Sequence, residues 1–417
     1  MGITHSQAHN TDPTPQRIKI PPEQRAVFTS KNPFSIRPPA FVTFHDDFEQ
    51  ILGPDPHLTI AYEDRVPFAH DAGVFLPDKD TVLVSSKQFV PDGKYEKSVT
   101  VSKLTRAGDG SWRRDNIPTL AVMTTGGTNY QGGMLFCTQG DYRDPGGLVL
   151  MEAEKPFRTR PLLNNFNGRR FNSLANLALH SDGSIWFTDP IYGYDQGTRP
   201  KPELPNAVYR YDPDNGGDVR VVADGFGRPN GICFSPDERI VFITDTDQIH
   251  GDGSVDKTRA ATIYASDVLV DRSTTWLVNR RVFAAPDFGV PWAIECDTAG
   301  NLYAACGDGV NIWNTRGMLL GKILIPDGAA SFCFGRPGEL FLLNDKKFWL
   351  LKLAKHVRSA VLDRAGLQVD EIDGADGGPD ANVYGDGSRQ TGGIGHGRGA
   401  GGGAMEGESD EDSLFGS

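Results

Sequence analysis

The chain has 417 residues, of which 38% are apolar and 10% aromatic, together with 49 glycines and 28 prolines. This composition can fill a large core, but it predicts many turns and few long helices. Most of the net charge of −12 comes from residues 363–417, which carry 12 acidic residues against 3 arginines, so no basic surface favours a nucleic-acid partner.

Cysteine usage and apolar runs suggest a compartment. The cysteines are odd in number, lie in apolar contexts and lack metal-site spacing, which predicts reduced core residues. They are Cys137, Cys233, Cys296, Cys306 and Cys333. No apolar run approaches the ~18 residues of a membrane span and no apolar leader is found, so a cytoplasmic location is expected. The first six residues fit an N-myristoylation pattern at Gly2, although we favour chance occurrence.

Residues 1–35 are polar and proline-rich without a sustained period, which predicts a flexible arm or an extended strap. From about residue 60 a turn followed by a β-rich run recurs six times at spacings of about 40 to 60 residues. The apolar runs begin at Val82, Met134, Ile185, Ile240, Leu302 and Leu340. We therefore predict an all-β fold, a six-bladed β-propeller over residues 36–361. The alternative is two β-sandwiches, but that fold would not require the same sequence pattern to occur six times.

The clearest copy of the repeat lies in residues 168–192. Leu177 and Leu179 alternate with other residues, Ser-Asp-Gly follows at 181–183, and an apolar run starts at Ile185. This pattern predicts two antiparallel strands joined by a tight turn. After Leu362 the repeat ends. Residues 374–403 contain 13 glycines and the last residues are acidic, so residues 362–417 are predicted to be a disordered tail.

Several phrases carry a family resemblance over roughly residues 40–350. They include Ser-Asp-Gly-Ser-Ile-Trp-Phe-Thr-Asp-Pro at 181–190, Pro-Asn-Gly at 229–231 and Cys-Gly-Asp-Gly-Val at 306–310. The chain resembles the regucalcin/gluconolactonase family of six-bladed propellers, especially its fungal lactonase-like members. The resemblance implies one divalent cation in the central channel, held by a Glu early in blade one, the Asn of Pro-Asn-Gly and the Asp of a later Pro-Asp-Gly.

This chain departs from that ligand set. Asp71, in His70-Asp71-Ala72-Gly73, stands where the family has Glu; Asn230 is kept; and Trp292 stands where the family has Asp. Ca²⁺ takes six to eight oxygen ligands and depends on carboxylates, so we expect neither a tight metal site nor another cofactor. Without a metal, the hydrolysis that the resemblance implies loses its Lewis acid, so no strong lactonase is expected.

Two further channel positions differ from the family. Ala175-Asn176 stands where members have Asn-Asp, and Thr125 stands where they have the Asn of Asn-Gly-Gly. From these positions we predict a site of four catalytic and four substrate-binding residues. The catalytic candidates are His70, Asp71, Asn176 and Asn230, and the substrate-binding candidates are Thr125, Ala175, Tyr192 and Trp292.

Each candidate also has a structural interpretation. His70 is equally suited to general acid–base catalysis and to a structural hydrogen bond. Asn230 could be a turn residue, and Asn176 could satisfy backbone groups. Trp292 could plug the space of the lost metal or form a stacking wall for an apolar ligand.

Three functions remain open from the sequence. The first is a metal-independent enzyme that orients bulky apolar intermediates, as a hetero-Diels–Alderase joins a tropolone-derived quinone methide to an olefin. Orientation alone can supply ~7 to 11 kcal/mol in such reactions. The second is a lactone or ester hydrolase with a remodelled metal site, and the third is a non-catalytic binding propeller. The expected partner is an apolar small molecule, and the sequence defines no oligomeric state.

Overall fold

The computed structural model describes residues 14–22, 36–271 and 274–367. Their innermost strands pack side by side around a central channel, the sixth against the first, which confirms the predicted six-bladed β-propeller. From the inside outwards, the strands of blade 1 are Asp71–Leu76, Thr81–Ser85, Val101–Arg106 and Trp112–Ile117. Those of blade 2 are Thr124–Tyr130, Gly133–Thr138, Gly147–Met151 and Thr159–Leu163. Those of blade 3 are Leu177–Leu179, Ile185–Asp189, Ala207–Asp212 and Asp218–Ala223.

In the same order, the strands of blade 4 are Pro229–Phe234, Ile240–Asp245, Thr262–Asp271 and Thr274–Ala284. Those of blade 5 are Ile294–Cys296, Leu302–Cys306, Gly309–Trp313 and Leu319–Leu324. Those of blade 6 are Ser331–Phe334, Glu339–Asn344, Lys347–Lys352 and His57–Glu63. A small hairpin, Asn165–Phe166 with Arg169–Arg170, precedes blade 3.

Helices are short in this fold. The described ones are α1 (Asp47–Leu52), α2 (Tyr192–Asp195) and α3 (Ala360–Arg364), with one 3-10 turn at Pro77–Lys79. None within the described ranges has the length and apolar character needed to cross a membrane.

All six repeated phrases fall on the second strand of a blade. In blades 1, 3 and 5 every residue of this strand is buried, because both of its faces pack against neighbouring sheets. A strand buried on both faces is expected to be continuously apolar, which explains why these six segments can be recognised in the sequence. The predicted antiparallel pairing of Leu177–Leu179 with Ile185–Asp189 is confirmed, and Gly183 occupies the turn with φ 87°.

A strand from the N-terminal part of the chain closes the ring. His57–Glu63 pairs antiparallel with Lys347–Lys352 and becomes the outermost strand of blade 6, although it precedes blade 1 in sequence. Blade 5 is extended in the same way. Ala40–Thr43 pairs with its last strand, and Gln16–Lys19 adds in parallel to Ala40–Thr43.

Residues 1–35 were expected to be a flexible arm or an extended strap, and a short part of them is an extended strand. Gln16–Lys19 pairs with Ala40–Thr43 because an uncovered sheet edge offers free N–H and C=O groups. The rest of that prediction concerns residues 1–13 and 23–35, which lie outside the described residues.

The expected boundary between residues 361 and 362 falls inside α3. Ala360 and Leu362 are buried against the cores of the blades, so two apolar residues hold this short helix in place. The predicted tail beyond Leu367 lies outside the described residues. All five cysteines are buried and free, as predicted.

Candidate functional site

A cavity of about 390 Å³ opens at the end of the channel where the innermost strands begin. Every blade contributes to its floor, through Asp71, Thr125, Ala175, Asn230, Trp292 and Ala330. Its rim comes from connections between the second and third strands of blades 1 to 4, whereas the corresponding turns of blades 5 and 6 are tight. This volume suits a small organic ligand.

The structure brings together seven of the eight residues expected at the site. Those that line the cavity are His70, Asp71, Thr125, Ala175, Tyr192, Asn230 and Trp292. Asn176 instead lines a smaller cavity of about 80 Å³ deeper in the channel, which Asp71 also borders. The Asn176 side-chain oxygen accepts a hydrogen bond from the Leu177 N–H at 2.9 Å, so part of its capacity serves its own strand.

A β-bulge at the start of blade 1 aims Asp71 into the channel. The strand register shifts between Asp71 and Val74, and Ala72 between them has φ 61°, in the left-handed region. Such a bulge bends the strand and redirects a side chain. The innermost strands of blades 2 and 4 shift register at the equivalent place, after Thr124 and Pro229.

Threonines near the ends of two second strands hold the backbone of cavity-floor residues in the next blade. The Thr188 hydroxyl donates to the Asn230 carbonyl at 2.7 Å, and the Thr244 hydroxyl donates to the Trp292 carbonyl at 3.2 Å. The polar residues that end the repeated phrase therefore hold two predicted site residues by their backbone.

His70 forms a dyad with an acid that the sequence did not indicate. Its Nδ1 lies 2.6 Å from Oδ1 of Asp345, which occupies the tight turn between the second and third strands of blade 6. The turn is itself anchored, because the Asp345 carbonyl accepts from the N–H groups of Phe68 and Ala69 at 2.8 and 2.9 Å. Sequence reasoning missed Asp345 because it lies 275 residues from His70 and shares no motif with it.

The surroundings of the dyad keep Asp345 charged. Burial raises the pKa of Asp345, but the hydrogen bond from His70 and the charges of His70 and Lys87 outweigh it, leaving the pKa below its usual value. The Lys87 ammonium lies 3.5 Å from Oδ2 of Asp345. Within the described part of the chain, Nε2 of His70 has no hydrogen-bond partner, so this nitrogen is available to a ligand or a water.

Asp71 lies deeper, where the channel narrows between the two cavities. Its Oδ1 accepts from the Ala72 N–H at 2.9 Å. Burial raises the pKa of Asp71, and this effect exceeds the opposing contributions of the His70 charge and of hydrogen bonds from Ala72 and Ser331. The charged carboxylate is thus less favourable here than at an exposed position.

One side of the cavity is aromatic. The rings of Tyr192 and Trp292 have centroids 6.2 Å apart at 45°. The Tyr192 hydroxyl lies 2.5 Å from the Thr246 hydroxyl, and burial raises the pKa of Tyr192, so this side chain presents a ring rather than a free phenol.

Part of the rim consists of loops that amide side chains join by hydrogen bonds. Nε2 of Gln88 donates to Oε1 of Gln139 at 2.9 Å and to Oε1 of Gln196 at 2.7 Å. The Lys97 ammonium donates to the Gln196 carbonyl at 2.8 Å. These side chains belong to loops without a motif, and sequence reasoning did not select them.

The profile SMP-30/Gluconolactonase/LRE-like region matches residues 95–343, more than half of the chain. The chain belongs to this family. The chain is 31% identical over 298 residues to lactonohydrolase oryL of Aspergillus oryzae (strain ATCC 42149 / RIB 40), covering 66% of this chain and 64% of that protein. It is 30% identical over 210 residues to gluconolactonase of Zymomonas mobilis (strain ATCC 31821 / ZM4 / CP4), covering 48% of this chain and 56% of that protein. The alignments thus span less than two thirds of either relative.

Among solved structures, the XC5397 gluconolactonase of Xanthomonas campestris is similar, with a TM-score of 0.59 and 26% identity. The alignment covers 75% of this chain and 93% of that structure. The family match from residue 95 to residue 343 includes Asn230 and Trp292 but neither member of the His70–Asp345 dyad.

The divalent cation implied by the SMP-30/gluconolactonase resemblance can be tested against the donors of this cavity. Among the described lining residues Asp71 is the single carboxylate, and Lys87 and Lys97 face the same space. The described ranges hold no group of three or more His, Cys, Asp or Glu side chains arranged for a metal ion. One carboxylate with a raised pKa, one amide and an indole are too few oxygen ligands for Ca²⁺, so these residues do not fit the cation.

Proposed function

We propose that this SMP-30/gluconolactonase family member hydrolyses a lactone or ester bond in a small molecule held in the central cavity. The observation that carries the proposal is the dyad, in which Asp345 binds Nδ1 of a cavity-lining histidine and leaves Nε2 free. An acid–histidine pair of this kind is suited to general base catalysis. The names of the Aspergillus lactonohydrolase and the Zymomonas gluconolactonase support the same reaction class.

In the proposed reaction, the dyad determines which nitrogen of His70 accepts the proton of the attacking water. When neutral His70 donates Nδ1–H to Asp345, Nε2 takes a proton from water as the water oxygen attacks the ester carbonyl. Asp345 stabilises the imidazolium that forms. The bond between the carbonyl carbon and the ring oxygen then breaks, and His70 returns the proton to the departing alkoxide, giving a hydroxy acid.

Two other lining residues suit the developing oxyanion. The Asn230 amide faces the cavity, and Thr188 holds the Asn230 backbone through its carbonyl. Asp71 lines the same cavity, and its carboxyl group is a second donor when it carries a proton. Donors fixed in place before reaction stabilise a developing negative charge without the cost of reorganisation.

A second candidate follows from the aromatic wall. Trp292 and Tyr192 offer two large rings to an apolar ligand, which suits a metal-independent cyclase or hetero-Diels–Alderase that orients two reactants. Such an enzyme would not depend on the free Nε2 of His70 as a base. The behaviour of a His70 variant therefore separates the two candidates.

The test is hydrolysis of a panel of γ-lactones, δ-lactones and aryl esters, measured by pH-stat after treatment with a chelator. We expect turnover that survives chelation and falls by about 10²- to 10⁴-fold in His70→Gln, the range typical of a lost general base. His45→Gln is the matched control, because His45 also lies beside an acid, Asp47, but outside the cavity. Absence of turnover on the whole panel, or activity that returns only with added Ca²⁺ or Zn²⁺, would contradict the proposal.

A further inference from the structure

Positive side chains outnumber negative ones among the described residues that line the cavity. Residues 363–417 account for nine of the chain's twelve net negative charges, so the remaining chain is close to neutral, and the described cavity wall contains the ammonium groups of Lys87 and Lys97. Against them stands Asp71, the one carboxylate among the described lining residues. A cleft whose charge differs from its surroundings concentrates ligands of opposite sign.

Lys97 is the basic group that remains most available to a ligand. Its ammonium donates to the Gln196 carbonyl, and no carboxylate in the described ranges pairs with it. An ammonium has three donors, so two remain for another acceptor. Lys87, in contrast, shares its charge with Asp345.

The position of Lys97 is supported by the rim. Gln196 receives both the Lys97 ammonium, at its backbone carbonyl, and the Gln88 amide, at its side chain. Gln88 also donates to Gln139. The loops of blades 1, 2 and 3 are thereby linked, and the Lys97 ammonium is held over the cavity by a contact that leaves its charge uncompensated.

We infer that the substrate is an anionic lactone, with a carboxylate bound at Lys97 and an apolar or aromatic body packed against Trp292 and Tyr192. This inference rests on the proposed function and narrows its substrate class. The acid in question is a substituent of the substrate. It is distinct from the carboxylate that ring opening creates beside His70.

Phthalide-3-carboxylate and phthalide-3-carboxamide form a suitable pair of probes, since they share an aromatic lactone and differ in the charge of one group. We expect kcat/KM to be about tenfold higher for the carboxylate, the ratio that corresponds to one charge-assisted hydrogen bond. This preference should shrink as ionic strength rises. In Lys97→Met the ratio of the two kcat/KM values should fall about tenfold, mainly through KM. Lys94→Met is the matched control, because Lys94 is an exposed lysine of the same loop outside the cavity wall.

Binding without turnover separates this inference from the proposed function. Calorimetric titration with 1,3-dihydroisobenzofuran-1-carboxylate and its carboxamide uses ligands that have a cyclic ether in place of the lactone ring. Tighter binding of the carboxylate, lost in Lys97→Met and kept in Lys94→Met, supports the anionic ligand even if no lactone is opened. Equal binding and equal turnover of charged and neutral probes overturn the inference, while the hydrolase proposal stands on the turnover itself.

Discussion

The carboxylate of Asp345 determines which nitrogen of His70 carries the proton. Nδ1 is 2.6 Å from Oδ1, so the neutral ring donates there and keeps its lone pair on Nε2. An asparagine amide can present its NH₂ group instead and favour the other tautomer. Asp345 is not among the residues that line the cavity, so in the proposed reaction it positions His70 and does not contact the substrate.

We expect Asp345→Asn to lower kcat by about 10²- to 10⁴-fold near pH 7, with a smaller change in KM, because the imidazolium also loses its counter-charge. Stopped-flow or pH-stat kinetics would measure both the change in kcat and the change in KM. Asp327→Asn is the control, since Asp327 also occupies a turn with positive φ, 65° against 47° at Asp345. Equal losses in both variants would show that the turn, rather than the dyad, is responsible.

Trp292 is the second residue whose role can be tested by substitution. Its carbonyl is held by the Thr244 hydroxyl at 3.2 Å, so the backbone should keep its place when the side chain changes. We expect Trp292→Asp to gain Ca²⁺ binding in the millimolar range or tighter, because a second carboxylate then faces Asp71 and Asn230 across the channel. Isothermal titration with Ca²⁺ would measure the gain.

Trp292→Asn controls for the space that the indole leaves, since it opens the same volume without adding charge. If neither variant binds Ca²⁺ more tightly than the parent protein, loss of the family's carboxylate is not what prevents metal binding here. If both bind equally well, the indole acts by filling space.

Helix α3 borders the inner end of the channel, and one serine joins it to blade 5. The Ser359 hydroxyl accepts from the Leu362 N–H at 3.0 Å as the helix cap and donates to Oε1 of Glu295 at 2.5 Å. Arg364, in the last turn, lies 3.3 Å from Oε1 of Glu238. The small cavity that Glu295 and Arg364 line is thus bordered by a helix whose capping serine also binds the Glu295 carboxyl group.

Glu295 links the stability of the fold to pH. Burial raises its pKa from 4.5 to about 7, against the hydrogen bond from Ser359 and the charge of Arg364. Between these values the folded protein holds a proton that the unfolded chain has released. The free energy of unfolding should therefore fall as pH rises through this window, by on the order of 3 kcal/mol.

Glu295→Gln removes this proton linkage, so we expect the variant to gain stability relative to the parent as pH rises from 4 to 8. Urea denaturation at pH 4, 6 and 8 would give the difference between the two proteins, in which other titrating groups cancel. Glu203→Gln serves as the exposed control. A difference that stays constant across the three pH values would show that Glu295 does not titrate in this window.

At the scale of the whole molecule, the six blades could be predicted because the second strand of a blade packs on both faces and must be apolar along its length. The closure of the ring could not be predicted from the sequence. His57–Glu63 joins blade 6 because the two ends of the ring meet in space, a condition that leaves no periodic mark in the sequence. The strand Gln16–Lys19 could not be predicted for the same reason, since it only covers the edge of a sheet that other parts of the chain form.

The site was predictable to a similar extent. Positions at the start of innermost strands converge on the channel in any propeller, so His70, Asn230 and Trp292 share one cavity. Asp345 and Lys97 lie on turns and rim loops, where position depends on tertiary contacts rather than on a repeat.

The closing strand offers the sharpest test of the architecture. Leu58 lies in it with only 2% of its surface exposed and pairs with Leu351 in the core shared by blades 5 and 6. We expect Leu58→Ala to lower the free energy of unfolding by about 2 to 5 kcal/mol, the usual cost of such a cavity. Because the strand joins the last blade to the first part of the chain, the loss should appear as one cooperative transition at lower urea, followed by both fluorescence and circular dichroism.

His57→Ala is the matched substitution, since His57 precedes Leu58 in the same strand but is exposed. It should change the transition by less than about 0.5 kcal/mol. Two separated transitions in Leu58→Ala would mean that blade 6 opens while the other blades stay folded, and the ring would then not act as one cooperative unit. An unchanged midpoint would show that closure contributes little, and that the inter-blade contacts around the channel hold the propeller without it.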